Sequence, residues 1–315
     1  MDASQPSRLS TVTGVTTVRD AADRVAIITG AAGGIGEGMA RACAEDGMRV
    51  VVADVDATRA AEAAGELRRR GATALDCVCD VRSVAETNGL REFALERFGR
   101  IDLVCLNAGL GLVKAVADCT DVDWTLMFDV NVTGVINGIR VFLPTMINQG
   151  FGHLSATASL SGLVADPDLA IYNGTKFAVV GIMESLAMEL RRDHPRIGAS
   201  VLCPGPVATD IVANSAKVLS DAGTDMDHPD KVAGYLARGR SPTEVGRLAI
   251  DGIEAGHFWL LPHPDLTFEL LKERTSSMRD RRLYSPEEQW TDQGASEPSA
   301  IQSPSSPIRH PTSES

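Results

Sequence analysis

The chain is short of positive charge. Its 30 Lys and Arg are outnumbered by 42 Asp and Glu, for a formal net charge of -12 over 315 residues. No Lys/Arg stripe of useful length runs through it, which argues against nucleic acid as a partner. The run Arg68-Arg69-Arg70 ends an expected helix, where positive charge suits the helix dipole. Long apolar runs are also missing. None approaches the roughly 20 residues that span a bilayer, so no membrane segment is expected. The opening residues lack a basic start followed by an apolar core, so no secretory signal is expected. The six cysteines, Cys43, Cys77, Cys79, Cys105, Cys119 and Cys203, include no C-x-x-C pair and no histidines at zinc spacing. They are expected to be small buried hydrophobes in a reducing cytoplasm. His257 and His263 flank an apolar stretch but lack a third ligand nearby, so no metal is expected.

What is present is a globular composition. Hydrophobic residues make up 44%, and mean hydropathy is close to zero. Residues 1–23 are rich in small polar residues and suggest a loose arm. Residues 291–315 lack aromatics and are dense in Ser and Pro, the composition of a disordered tail. Between them, over residues 24–290, short apolar runs alternate with helical patterns. Strands are expected at 25–29, 49–53, 74–79, 101–106, 153–158, 198–203 and 258–261. Helices are expected at 37–46, 57–70, 84–98, about 121–148 and 173–193. Continuous apolar strands alternating with amphipathic helices imply a single α/β domain: a seven-stranded parallel sheet covered on both faces.

Between the first strand and helix lies Thr29-Gly30-Ala31-Ala32-Gly33-Gly34-Ile35-Gly36. Glycines there permit a tight turn and a close approach of main chain to a pyrophosphate, at a helix N-terminus with free N–H groups. That makes the sheet a doubly wound, Rossmann-type one. Asp54 ends the second strand, twenty residues after Gly34. Its carboxylate can accept bonds from both hydroxyls of an adenosine ribose and would repel a 2′-phosphate. Residue 55 is Val and no adjacent Arg compensates, so NAD is favoured over NADP. The alternative for Asp54 is a plain strand-end turn residue, with Asp56 close by.

Tyr172 and Lys176 stand four residues apart, on one face of an expected helix, and Ser159 lies thirteen residues upstream. A free phenol has a pKa of about 10. A neighbouring cation favours the phenolate and would bring Tyr172 toward neutral pH as an acid/base. Ser155 and Ser161 are close rivals to Ser159.

These residues together resemble the classical short-chain dehydrogenase/reductase family over about residues 24–265. The family's T-G-x-x-x-G-x-G is matched by Thr29, Gly30, Gly34 and Gly36, its adenine-pocket Asp-Val by Asp80-Val81, and its Asn-Asn-Ala-Gly by Leu106-Asn107-Ala108-Gly109, with Leu in place of the first Asn. The helix asparagine is matched by Asn131, the serine by Ser159, the Tyr/Lys pair by Tyr172 and Lys176, and the Pro-Gly turn and later Thr by Pro204-Gly205 and Thr209. Gly33 also fits the G-x-x-G-x-x-G spacing of the extended branch, but too few residues follow Lys176 for that branch's substrate domain.

The resemblance implies a coenzyme site of Gly30, Gly34, Ile35, Gly36, Asp54, Asp80, Val81, Asn107, Ala108, Gly109, Tyr172, Lys176, Pro204, Gly205, Val207 and Thr209. It implies catalysis by Ser159, Tyr172, Lys176 and Asn131. Tyr172 would exchange the proton, Ser159 would stabilise the reacting oxygen, and Lys176 would lower the Tyr172 pKa and bind the nicotinamide ribose. Asn131 would hold a relay water, although alone it reads as a helix breaker or cap. A lid is expected over 206–240. Its apolar residues, with Gly111-Leu112-Val113, Leu160 and Leu163 to Asp168, suggest a hydrophobic or aromatic secondary alcohol or ketone; Lys114 and Lys217 look isolated. The alternatives are an NADPH-dependent 3-oxoacyl-carrier-protein reductase and a non-catalytic NAD-binding scaffold or sensor. In the family the two long helices pair across a two-fold axis, implying a homodimer or homotetramer.

Overall fold

The computed structural model describes residues 24–284. The expected N-terminal arm and the Ser/Pro-rich tail lie outside the described residues. Seven parallel strands form one sheet in the order β3-β2-β1-β4-β5-β6-β7. They are β1 Val25–Thr29, β2 Arg49–Asp54, β3 Ala74–Val78, β4 Leu103–Leu106, β5 Gly152–Thr157, β6 Ile197–Leu202 and β7 Trp259–Leu260. Every residue of β1 and β4 is buried, as a strand covered on both faces requires.

Side chains alternate across the sheet and feed two cores. In β1, Ile27 enters one core and Ala26 and Ile28 the other. The first core also takes residues from α3 (Val84–Phe98), α5 (Gly134–Gln149) and α6 (Ala170–Asp193), with Phe142 and Met183 at its centre. The second is closed by α1 (Gly34–Glu45), α2 (Ala57–Arg69) and α9 (Pro242–Glu254). Helix ends follow the local rules. Ser83 and Ser241 accept bonds from main-chain N–H groups at the N-termini of α3 and α9. Gly99 and Gly150 take left-handed conformations after α3 and α5.

The segment expected as one helix over 121–148 is interrupted. α4 (Asp121–Phe128) passes into a π-turn at Asp129–Thr133 before α5 begins. Such single wide turns concentrate at functional sites, and Asn131 sits in this one. The stretch from Asp121 to Gln149 is long and apolar enough to cross a membrane by length and composition. Here it packs into the protein core through Leu126, Met127, Phe142 and Met146. After β6 the expected lid contains two helices, α7 (Ile211–Asp221) and α8 (Pro229–Leu236), and α10 (Pro264–Arg279) follows β7.

β1 is flanked by β2 on one side and β4 on the other. The chain winds in opposite directions from this point, opening a crevice at the carboxyl ends of β1 and β4, where an open α/β sheet binds its ligand.

Candidate active site

The glycine turn occupies that crevice. Gly30 and Gly34 have φ of 63° and 58°, a region that disfavours any side chain. A Cβ on Gly36 would collide with the Gly30 carbonyl and the Asn107 amide. Gly33 precedes α1 as its N-cap and offers no side-chain bond, so the first-turn N–H groups are left for a ligand. The cradle therefore fits a pyrophosphate.

Asp54 braces this turn. One carboxylate oxygen accepts from Ala32 N at 3.1 Å, the other from Asp56 N at 3.1 Å. Each oxygen keeps acceptor capacity for a ribose hydroxyl. Across the sheet no adjacent Arg was expected. Arg59, however, from the first turn of α2, lays its guanidinium over the turn: Nη2 is 3.4 Å from Ala32 O and would be 2.7 Å from a Cβ on Gly33. Folding thus brings a cation to the turn that Asp54 braces.

Asn107, expected to touch coenzyme, spends its side chain on the frame. Nδ2 donates to Thr29 O at 3.1 Å and Gly30 O at 3.2 Å, and Oδ1 accepts from Thr157 Oγ1 at 3.0 Å. It ties the ends of β1, β4 and β5 together. Asp80 is held by Arg82, with Nη2 to Oδ2 at 2.6 Å, and that guanidinium keeps its carboxyl below the usual range. Val81 packs against Gly134 at the start of α5. Ile35 packs on the second core.

The residues expected to transfer the proton gather beside the cradle. Gly30 lies against Ala108, where a Cβ would approach the Ala108 Cα to 2.8 Å. The next residue, Gly109, is the meeting point: a Cβ there would be 3.2 Å from Asn131 Oδ1 and 3.3 Å from Lys176 Nζ. Asn131 is 1% exposed. Its Oδ1 accepts from Leu110 N at 2.7 Å, and its Nδ2 donates to Leu110 O at 2.9 Å and Thr175 Oγ1 at 3.1 Å. From the π-turn the asparagine fastens Leu110, just after β4, to Thr175 near the start of α6.

Lys176 Nζ donates to Thr157 O at 3.0 Å and lies 5.6 Å from the Tyr172 ring centroid. Burial lowers its pKa to about 8, with Cys203 acting the other way. Burial likewise pushes the Tyr172 phenol up, against a hydrogen bond with Ser159 that lowers it. The expected depression by Lys176 is not found, because the ammonium stands over the ring, bonded to a main-chain oxygen. Ser159, in extended backbone after β5, accepts from Ser161 N at 3.1 Å. Ser155 lies inside β5, and of the three serines Ser159 is the one that lowers the Tyr172 pKa.

On the far side, Leu160 N donates to Pro204 O at 2.8 Å, and Gly205 N donates to His263 Nδ1 at 3.0 Å. His263 braces the Pro-Gly turn, a role the sequence did not signal. Val207 is buried, and Thr209 touches the turn, with its Cγ2 3.3 Å from a Cβ placed on Gly34.

Lys114, which looked isolated, is buried at 8% exposure. It donates to Thr224 Oγ1 at 3.1 Å and pairs with Asp225 at 3.2 Å and Asp123 at 3.4 Å. Asp123 is fully buried and also accepts from Thr224 at 2.7 Å. This group joins the lid to the start of α4. No motif flagged it, because its partners lie 9 and about 110 residues away. Leu160 and Val164 cluster with Leu270, and Tyr284 packs there too. Asp166 and Tyr235 add polar groups: burial raises both pKa values, and the Asp166 charge raises Tyr235 further.

The fold and sequence are shared with known proteins. The short chain dehydrogenase family matches residues 24–219. An uncharacterized oxidoreductase of Listeria innocua is 32% identical over 221 residues, covering 68% of this chain and 89% of that protein. A short-chain dehydrogenase/reductase from Burkholderia phymatum, solved in complex with NAD, is 33% identical with a TM-score of 0.79, covering 84% of this chain and 97% of that one. An alcohol dehydrogenase from Thermococcus sibiricus complexed with 5-hydroxy-NADP is 27% identical with a TM-score of 0.63, covering 76% and 95%.

Proposed function

The chain belongs to the classical short-chain dehydrogenase/reductase family and is an oxidoreductase acting on CH–OH with a nicotinamide dinucleotide, and from that premise we propose an NAD(H)-dependent enzyme interconverting a hydrophobic or aromatic secondary alcohol and its ketone. The observation that carries the reading is the junction at Gly109. There Asn131 and Lys176 both reach Gly109, next to the Ala108 on which the glycine cradle packs, and the Ser159 hydroxyl acts on the Tyr172 phenol.

Bound in the cradle, the nicotinamide supplies or takes up the hydride. Tyr172 exchanges the proton with the substrate oxygen, and Ser159 donates to that oxygen as negative charge develops on it. Lys176 holds positive charge beside the phenol, and its own pKa of about 8 lets it pass a proton on near neutral pH. Asn131 fixes Leu110, and through Thr175 the first turn of α6, so that Tyr172 keeps its aim.

Asp54 supports NAD over NADP, since a carboxylate in that place repels a 2′-phosphate. The partly exposed Ile211, Val218 and Tyr235 of the expected lid support an apolar substrate. The net charge of -12 disfavours docking of an acidic carrier protein. Trp124, Ile147 and Met188 are exposed on α4, α5 and α6, which supports pairing of two copies through these helices; light scattering tests that state. A panel of secondary alcohols and ketones, followed by NADH absorbance, tests the function. Turnover of bulky apolar members is expected; none across the panel, despite NADH binding, would leave a scaffold or sensor.

A further inference from the structure

Arg59 is the one arginine of the α2 segment without an acidic partner among the described residues. Arg68, Arg69 and Arg70, on the same helix and its end, pair with Asp76 and Glu66 at 2.6–3.4 Å. Arg59 bonds only neutral oxygens: Asn214 Oδ1 at 2.8 Å through Nη1 and Ala32 O at 3.4 Å through Nη2. A guanidinium carries five N–H donors and is always charged, so most of its capacity is unspent.

Its place is set from both sides. Asp56 caps α2 by accepting from Thr58 N and Arg59 N, both at 3.1 Å, which fixes the arginine in the first turn. Asn214 belongs to α7 of the lid, 155 residues further along. Thr209, ahead of the same helix, touches the Gly34 position. Lid and β2–α2 connection therefore meet above the glycine turn, and the cation lies between them, over Gly33.

We propose that Arg59 and Asn214 form a clasp over the coenzyme, in which Arg59 binds a phosphate group of the dinucleotide while Asn214 holds the lid to it. This rests on the nicotinamide reading above. An exposed bond between a cation and an amide is too weak to shut the lid alone. A phosphate beneath the guanidinium adds charge-assisted bonds on the open side and strengthens the whole bridge. Closure of the lid is thereby tied to occupancy of the cradle, and opening the clasp governs how fast coenzyme leaves. Asp54 and Arg59 then act in opposition at one end of the site, the carboxylate reading the ribose and the guanidinium reading phosphate.

The test measures binding and release of NADH and NADPH by nucleotide fluorescence and stopped flow, for the parent, Arg59→Gln and Asn214→Ala, with circular dichroism confirming the fold. For Arg59→Gln a roughly tenfold rise in Kd for NADH is expected from loss of charge-assisted bonds. An equal rise for NADPH assigns Arg59 to the shared diphosphate. A rise for NADPH alone assigns it to the 2′-phosphate. Asn214→Ala is expected to speed NADH release several-fold, with little added when combined with Arg59→Gln. Folded Arg59→Gln protein with Kd and release rates within twofold of the parent for both nucleotides overturns the clasp. That result is distinct from failure of the functional reading, in which the parent turns over no member of the alcohol and ketone panel or binds neither nucleotide.

Discussion

The coenzyme cradle and the lid are held by different means. In the cradle, main chain packs on main chain. Gly36 leaves no room for a Cβ against the Gly30 carbonyl, Gly30 none against Ala108, and Asn107 and Thr29 pin the strand ends. In the lid, a few side chains reach long distances: Lys114 to Thr224 and Asp225, Ser215 to Gly111, Arg59 to Asn214, and His263 to Gly205. A main-chain cradle is rigid and spelled out by residue type. The proposed lid, hung on side chains, would open by breaking a few separate bonds.

The sharpest contrast is between chemistry and scaffold at their junction. Tyr172→Phe removes the proposed proton carrier and keeps the ring, so turnover is expected to fall by at least about 100-fold while NADH fluorescence titration is unchanged. Retention of more than a few per cent activity would contradict the assigned role.

The lid anchor comes next. Lys114→Met leaves Asp123 buried with Thr120 and Thr224 but no cation. Breaking one side of a buried pair costs about 3–5 kcal/mol. The expected outcome is faster proteolysis within 206–240 and a raised KM, with NADH Kd less affected. If Lys114→Met unfolds the whole chain in one transition, lid and frame are a single cooperative unit and the contrast fails.

Acid separates the two regions by a smaller effect. His153, in β5, is buried against Ser200 at 2.9 Å, and burial lowers its pKa to about 4. Its contribution is present above the unfolded value of about 6.5 and is lost as pH falls through the folded value, for a total of roughly 3 kcal/mol. Asp123 behaves otherwise. Burial raises its carboxyl, but bonds from Thr120 and Thr224 and the Lys114 charge outweigh this and hold it below the usual range. Its contribution is lost only below the ordinary carboxylate pKa of about 3.9. Denaturant melts between pH 6.5 and 4 are therefore expected to show progressive loss of stability in the parent and a flatter profile in His153→Gln. An unchanged slope in the variant would remove His153 from the account.

The smallest expected effect lies inside the cradle. Asp54→Ala should narrow the preference for NADH over NADPH by about tenfold, one charge–charge interaction near the surface. A parent that already prefers NADPH would reverse the role given to Asp54, and Arg59 would then be the dominant charge at that end.

Much of this was legible beforehand for stated physical reasons. The inner strands were readable because parallel strands buried on both faces must be nearly continuously apolar, as Val25–Thr29 and Leu103–Leu106 are. Val84–Phe98 was readable to the residue because Ser83 opens it and Gly99 closes it. The π-turn at Asp129–Thr133 was not, since a helical pattern of apolar residues runs straight through it. Lys114 was misjudged for another reason: a lone lysine among apolar residues gives no sign that Asp123 and the lid will close around it.

The sequence by itself determined the doubly wound sheet, the glycine cradle and the residue types at the proton-transfer site, because each depends on short-range geometry: strand period, helix spacing, and turns only glycine can make. Tertiary structure alone decided how those parts are joined. It placed Arg59 over the turn, buried Lys114 with Asp123, set His263 against Gly205, and raised rather than lowered the Tyr172 phenol. Those outcomes depend on burial and on contacts between distant segments, and both exist only once the chain has folded.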